Sequence, residues 1–288
     1  MNSSPPFKLA GVMGWPIAHS RSPSIHNHWI KQHGLNGAYV LLPVDPAKLK
    51  DALTGLSALG FAGCNLTIPH KVMALPMVDR VDETARRMGA INTIVVEADG
   101  SLSGYNNDGF GYVQSLLDAQ PGWRADAGPA LIVGAGGAAR AVIVSLAEQG
   151  ATDIRVCNRT DSHAQDLAVE FGAEFAHNLG TKVTFVPWAK RHDAVNDVAL
   201  LVNTTSQGMG SNPVLDLDLT QLPLTALVSD VVYIPKMTPL LAAAQARGNP
   251  IAGGLGMLLH QARPAFKRWF GVMPEVTPEL LAAVNTTF

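Results

Sequence analysis

The stretch Ala130-Leu-Ile-Val-Gly134-Ala135-Gly136-Gly137-Ala138-Ala139-Arg140 decides the fold. Four apolar residues are followed at once by G-x-G-x-x-A, and a helical pattern then runs to Gly150. A second short apolar strand, Ile154–Cys157, closes the unit. In such a unit the first glycine makes the tight turn and the second lets the backbone approach a pyrophosphate, while the helix N-terminus presents its amides to that charge. A bare strand-to-helix turn would use the same glycines. The complete strand–turn–helix–strand context favours dinucleotide binding, with Gly134, Ala135, Gly136, Gly137 and Ala138 as the cradle.

The residues after the second strand bear on which dinucleotide is bound. A site for NAD usually places an acidic residue there to accept from the ribose 2′-hydroxyl. This chain has Asn158-Arg159-Thr160, a guanidinium flanked by amide and hydroxyl donors, which suits a 2′-phosphate and so NADP. Asp161 adjoins it and opposes a second negative charge, and a solvated turn would carry the same residues. Further apolar strands follow at Val183–Val186, Ala199–Asn203 and Ala226–Val232, and two helices close the chain at Leu255–Phe270 and Pro278–Val284.

Towards the N-terminus the alternation of strands and helices continues. Lys8–Gly14, Ala38–Pro43 and Gly60–Thr67 read as strands. Pro23–His33 reads as a helix capped by Ser22, and Pro46–Leu59 as one with Leu49, Leu53 and Leu56 on a single face. Pro69 opens another helix. Ala90–Glu97 and Ser101–Gly104 read as a hairpin about Asp99-Gly100, and a helix from the Asn106-Asn107-Asp108-Gly109 segment runs to about Ala119. The whole is predicted to be α/β with parallel strands.

Composition removes several function classes. Of 288 residues 47% are apolar and only 15% charged, which excludes intrinsic disorder. The net charge of −2, with no Lys/Arg run beyond two residues, offers no stripe for nucleic acid. Two cysteines, Cys64 and Cys157, form no disulfide framework, and the first residues carry no basic, then apolar, leader. The most apolar window, Ala130–Ala147, is interrupted by three glycines, Arg140 and Ser145, so no membrane span is expected. The sequence lacks HExxH, the G-x-S-x-G elbow and the Walker A loop, and no metal site is expected. These features point to a cytoplasmic enzyme.

A second constellation lies in the N-terminal third. Ser20 and Ser22 place two hydroxyls at a helix start, where free amides suit a small carboxylate. Asn65 and Thr67 share one face of a strand, and Lys71 follows four residues later as a group able to exchange a proton with a substrate hydroxyl. Asn92 and Asp108 are polar residues at strand ends, where open α/β sheets bind ligands. Each also has an ordinary structural reading as cap, turn or surface residue.

Together these segments resemble the shikimate dehydrogenase family. The matching runs are Gly14-Trp-Pro-Ile-Ala-His-Ser-Arg-Ser-Pro-Ser-Ile-His-Asn27, Asn65-Leu-Thr-Ile-Pro-His-Lys71, Gly89-Ala-Ile-Asn-Thr93 and Gly104-Tyr-Asn-Asn-Asp-Gly109. They continue with Gly134-Ala-Gly-Gly-Ala-Ala-Arg-Ala141, Asn158-Arg-Thr160, Asn203-Thr-Thr-Ser-Gln-Gly-Met209 and Gly254-Leu-Gly-Met-Leu-Leu-His-Gln-Ala262. Their order is the family's, and they cover nearly the whole chain.

The resemblance implies NADP-linked interconversion of shikimate and 3-dehydroshikimate, on the route to aromatic amino acids. It implies that Ser20 and Ser22 hold the substrate carboxylate, and that Asn65, Thr67, Asn92, Asp108 and Gln261 hold the ring hydroxyls, with Tyr233 lining the same pocket. Lys71 is then the acid/base, paired with Asp108. Asn158, Arg159 and Thr160 take the 2′-phosphate, and Val231, Gly254 and Met257 lie near the nicotinamide. Two positions depart from the family's pattern: Asn107 stands where it has threonine, and His163 where it has a second arginine. The second departure weakens the phosphate clamp without supplying an NAD-type acid.

Two other readings compete. One is a catabolic quinate/shikimate dehydrogenase using NAD, against which Arg159 argues. The other is a non-catalytic NADP sensor on the same fold, from which Lys71 or Asp108 would be missing. The expected architecture is a two-domain one with a cleft: residues 1–107 for substrate, a Rossmann-type domain over 108–247, and helices of 248–288 packing back on the first. The expected partner is the small-molecule substrate alone, with no nucleic acid or membrane, for a monomer or homodimer.

Overall fold

The structure, a computed structural model, describes residues 6–285. The chain forms two compact units, one running to Asn107 and resuming at Leu259, the other spanning Asp108–Leu258. Each carries its own six-stranded sheet.

The first sheet contains β1 (Lys8–Gly14), β2 (Gly37–Pro43), β3 (Phe61–Leu66), β4 (Arg80–Val81), β5 (Thr93–Val96) and β6 (Leu102–Tyr105), in the order β2-β1-β3-β5-β6-β4. β1 pairs parallel with both β2 and β3, but β5 runs antiparallel to β3 and to β6. The sheet is therefore mixed rather than parallel throughout. The tight turn at Asp99-Gly100 joins β5 to β6 as a hairpin: Gly100 has φ +83°, and the Ser101 carbonyl accepts from the Glu97 amide at 2.9 Å. On the helix Leu49–Ala58, Leu49, Leu53 and Leu56 are buried on one face as their spacing predicts.

Two local expectations change. The first helix spans Ser22–Gln32, so Ser22 lies inside it, and the cap position belongs to Arg21, whose side chain caps nothing. The single closing helix predicted over Leu255–Phe270 is two, Gly254–His260 and Ala262–Phe270. Pro264 explains the break: it has no amide for the 260 carbonyl, and its ring crowds that carbonyl. The second of these helices packs on the first sheet through Trp269, whose indole N–H donates to the Ile94 carbonyl at 3.0 Å. Only a glycine at 63 leaves room for that: a Cβ there would lie 2.3 Å from the Trp269 Nε1, and φ is +151°.

The second sheet contains β7 (Ala130–Val133), β8 (Asp153–Cys157), β9 (Lys182–Val186), β10 (Leu200–Asn203), β11 (Leu227–Asp230) and β12 (Ile251–Gly253), all parallel, in the order β12-β11-β10-β7-β8-β9. Read by chain order this is the 3-2-1-4-5-6 arrangement of the doubly wound dinucleotide fold. Every residue of β7 is buried, as befits a central strand covered by helices on both faces. Because β12 pairs with β11, residues 248–258 stay with this unit, and the chain rejoins the first unit at Leu259 rather than at 248. The helices Glu83–Met88, Asp161–Asn178 and Pro239–Arg247 add to those expected.

Candidate functional site

In the second unit the order of strands reverses at β7, flanked by β10 and β8. Ligands of open α/β sheets bind outside the strand ends at such a point. Gly134 leaves β7 with φ +118°, and a Cβ there would stand 2.4 Å from the Thr204 hydroxyl oxygen, which itself donates to the Val133 carbonyl at 2.8 Å. The helix Gly137–Glu148 then starts with no side-chain cap on its first amides, and a Cβ at Gly136 or Gly137 would meet nothing. Uncapped helix amides beside open space form a cradle that fits a pyrophosphate.

At the end of β8 the Asn158 side-chain amide donates to the Thr160 carbonyl at 2.9 Å, folding the loop. Asn158, Arg159, Thr160 and His163 line a pocket of about 430 Å³ whose other walls include Trp188, Thr205, Ser206 and Gln207. Arg159 is exposed and has no carboxylate partner among the described residues. The Asp161 carboxylate is engaged elsewhere, accepting the Trp188 amide at 2.8 Å. A cationic pocket rich in hydroxyl and amide donors fits a phosphate on the adenosine side of NADP. Trp188 and Thr205–Gln207 are lining residues that the sequence reading did not assign. Thr205–Gln207 fall within the run Asn203–Met209 that resembles the family's pattern, whereas nothing local marks Trp188.

Val231 and Tyr233 follow β11, directly after a buried carboxylate. Asp230 is 1% exposed and accepts from the Asn203 side-chain amide at 3.0 Å, the Val232 amide at 3.0 Å and the Thr238 hydroxyl at 2.7 Å. Burial raises its pKa against the pull of those three donors. Gly254 sits against this turn, donating its amide to the Val232 carbonyl at 3.3 Å, and a Cβ on it would be 2.2 Å from the Val231 carbonyl oxygen. Met257 follows on the short helix Gly254–His260. Asp108 belongs to the second unit also, buried in the first turn of the helix Asp108–Ala119.

In the first unit the structure gathers several amides. The Asn65 side chain accepts from the Tyr39 hydroxyl at 2.7 Å and donates both to the Asn92 carbonyl and to the Thr93 hydroxyl, each at 3.0 Å. Thr93 donates to the Asn92 Oδ1 at 2.9 Å, and Asn107 donates to Thr93 from its side chain at 2.9 Å and to Asn92 Oδ1 from its backbone at 3.0 Å. Lys71, half-buried on the short helix His70–Met73, accepts the Ile91 amide on its backbone carbonyl at 3.0 Å, next to Asn92. Thr67 bonds to Met13 through its amide at 3.0 Å. Ser20 takes the capping part predicted for Ser22: its hydroxyl accepts the Ser22 amide at 3.3 Å. Gln261 lies at the joint between the two closing helices.

Behind this cluster is an aromatic core. His26 is completely buried and stacks on Tyr39 at 4.1 Å with 4° between the rings, and burial pushes its pKa down to about 3. Burial also pushes the Cys64 thiol upward, which suits a packed strand residue and not a nucleophile.

Comparison with known proteins agrees with this geometry. The family model described as "Shikimate dehydrogenase substrate binding domain" matches residues 12–94. "Shikimate / quinate 5-dehydrogenase" matches 122–206, and "Shikimate 5'-dehydrogenase C-terminal domain" matches 254–278. The "Shikimate dehydrogenase (NADP(+))" of Paramagnetospirillum magneticum is 50% identical over 277 residues, 96% of this chain and 98% of that one. The chain belongs to the shikimate dehydrogenase family. Among solved structures, the Thermus thermophilus shikimate 5-dehydrogenase in complex with NADP(H) and shikimate superposes with a TM-score of 0.83 at 34% identity, covering 98% of this chain and all of that one. A quinate dehydrogenase of Corynebacterium glutamicum in complex with NAD reaches a TM-score of 0.86 at 31% identity, covering 98% and 99%. The family's members thus include enzymes for both substrates and both cofactors.

Proposed function

We propose that this chain catalyses the reversible, NADPH-linked reduction of 3-dehydroshikimate to shikimate. The observation that carries the choice of cofactor is Arg159, exposed in a donor-rich pocket at the end of β8 with no acidic residue in the place an NAD enzyme uses. NADPH, when bound, would supply the hydride, and NADP would take it back in the oxidative direction. The uncapped amides at Gly136–Ala138 hold its pyrophosphate, Asn158, Arg159 and Thr160 its 2′-phosphate, and the turn of Val231, Gly254 and Met257 flanks its nicotinamide.

The protein's part in the reaction is position and one proton. Ser20 and Ser22 hold the substrate carboxylate. Asn65, Thr67, Asn92, Asp108 and Gln261 hold the ring hydroxyls, and Tyr233 lines the pocket. The Lys71 ammonium gives its proton to the 3-carbonyl oxygen as that carbon accepts hydride, and takes the proton back in the oxidative direction, with Asp108 as its charged partner. Two units, up to Asn107 with the segment from Leu259, and Asp108–Leu258, serve as substrate and dinucleotide domains. Two buried free cysteines support a reducing, cytoplasmic setting, and the protein acts as a monomer or homodimer. No helix among the described residues is long and apolar enough to cross a membrane.

The competing quinate reading draws on the likeness to the Corynebacterium enzyme and on His163. Initial rates with shikimate or quinate, each with NADP or NAD, separate the two. Activity confined to shikimate with NADP, and lost by 100-fold or more in Lys71→Ala, is the expected result, in line with the roughly 10²–10⁴-fold worth of a positioned acid/base. Preference for quinate or NAD overturns the substrate or cofactor choice.

A further inference from the structure

The pocket at the end of β8 carries a charge that turns on one ring. Of the residues in its wall only Arg159 and His163 can be cationic. A guanidinium keeps its charge at every physiological pH, whereas an imidazole gains one only as pH falls from about 8 to about 5. Several neutral donors of the wall are already committed. The Asn158 side-chain amide donates to the Thr160 carbonyl at 2.9 Å, the Asn212 side-chain amide to the Ser206 carbonyl at 2.9 Å, and the Thr205 hydroxyl to Asn203 Oδ1 at 2.7 Å.

His163 is exposed on the first turn of the helix Asp161–Asn178, its backbone amide donating to the Thr160 carbonyl at 3.1 Å. Its ring has no hydrogen-bond or ion-pair partner among the described residues. The charged groups nearby are mostly engaged with one another. Asp161 accepts the Trp188 amide at 2.8 Å, and Glu170 is paired with Arg140. Arg191 lies 4.5 Å over the Trp188 ring and is paired with Asp216; Lys190 is 3.9 Å from Asp193, and His192 Nδ1 accepts the Asp218 amide. Asp166, one turn along the helix, points its charge into an exposed position.

A phosphate monoester carries nearly two negative charges above its second pKa of about 6. Arg159 matches one of them. We infer that His163 is a second, pH-dependent ligand of the NADP 2′-phosphate: its imidazolium meets the charge that Arg159 leaves, so the preference for NADP over NAD weakens as pH rises and the ring loses its proton. The inference rests on the reading that Asn158, Arg159 and Thr160 hold that phosphate. Because an anion beside the ring favours its charged form, NADP should bind with net proton uptake, whereas NAD, with a hydroxyl in that place, should not.

Calorimetric titration of NADP and of NAD, without a second substrate, into wild type, His163→Asn, His163→Arg and Arg159→Ala tests this. The titrations run at pH 6.5, 7.5 and 8.5, the middle one in buffers of different ionisation heat. A charge-assisted bond near the lower end of its usual strength is worth about tenfold in affinity, and an imidazole titrating near 6.5 loses this between pH 6.5 and 8.5 as about a fivefold rise in Kd. Wild type should show that rise for NADP and stay within about twofold for NAD. His163→Asn should bind NADP about fivefold more weakly at pH 6.5 and show no rise, while His163→Arg should bind it tightly at all three values. Proton uptake at pH 7.5, where the free phosphate is already ionised, should appear with NADP in wild type and vanish in both His163 variants. The same pH dependence in wild type and His163→Asn overturns the inference, as does an equal dependence for NAD or an absence of proton uptake. A wild type that binds NADP no more tightly than NAD brings down the cofactor reading, and the inference with it. If NADP is preferred, Arg159→Ala abolishes that preference and wild-type Kd stays flat with pH, the inference alone fails.

Discussion

Stability should fall with acid in a way traceable to one ring. His26 makes no hydrogen bond of good geometry on either nitrogen, Asn65 is the one polar side chain that pulls its pKa upward, and the ring is enclosed by Tyr39, Trp29, Phe266 and Trp269, so burial dominates. Its pKa is pushed down to about 3 by burial, while in the unfolded chain it returns to about 6.5. Between those values the unfolded chain binds a proton that the folded protein refuses. The folded state's advantage is therefore full above pH 6.5 and drains away as pH falls towards 3. At pH 5 the separation is about 1.5 pH units from the unfolded value, which at 1.36 kcal/mol per unit is about 2 kcal/mol; the full loss near pH 3 is about 5 kcal/mol.

The perturbation that isolates this is His26→Phe, which keeps an aromatic ring on Tyr39 and removes the titration. Thermal unfolding of both proteins at pH 7.5 and pH 5.0 gives four midpoints. All other titrating groups are common to both proteins, so the difference of differences belongs to His26. About 2 kcal/mol corresponds to a midpoint shift of roughly 4–8 °C for a unit of this size, by which wild type should lose more than the variant. Equal acid sensitivity in the two proteins would refute the reasoning, because it would mean that the folded protein accommodates the imidazolium. At pH 7.5 the variant should stay within about 1 kcal/mol of wild type, since it removes two buried ring nitrogens that make no well-formed hydrogen bond and gives up only the weak pull of Asn65.

Arg159→Ala should raise KM for NADP about 10- to 100-fold and leave KM for NAD within about twofold, the signature of a lost charge-assisted bond to the 2′-phosphate; steady-state rates with the two cofactors check it. Asp230→Ala strands the Asn203 amide, the Val232 amide and the Thr238 hydroxyl and should destabilise the second unit by about 2–4 kcal/mol, whereas Asp230→Asn, which keeps an acceptor for two of them, should cost less than half as much in denaturant titrations.

How much of this could be read beforehand follows from how local each signal is. The Gly134 turn and its flanking strands lie within one short stretch, and their conformation is dictated there: an apolar strand buried on both faces, a glycine at positive φ, an uncapped helix start. The helix Asp161–Asn178 escaped because its buried positions, Ala164, Leu167, Phe171 and Phe175, include a small residue and are scattered among polar ones, so the stripe is thin. The break at Gln261 was legible in Pro264, but the apolar run across it outweighed that signal. Trp188 could be placed beside Arg159 only by knowing that β9 lies next to β8.

The amide cluster shows where local reading stops and what takes over. Tyr39, Asn65, Thr93 and Asn107 come from β2, β3, β5 and the segment after β6, and sequence alone gave candidates on three of these pieces without joining them. Register joins them. Asn65 lies opposite Thr93 in the β3–β5 pair, with Cys64 opposite Ile94 beside it, both of the latter wholly buried. Because side chains alternate, a slip of one residue would turn Ile94 out of the core and Thr93 away from Asn65 together. β6 holds the same register from the other side, pairing Thr93 with Tyr105 and Val96 with Leu102. That pairing starts from the turn at Asp99-Gly100, which nothing in the chemistry of the site would single out. The arrangement of this amide cluster is thus set partly by an apolar contact and a distant glycine, neither of which belongs to it.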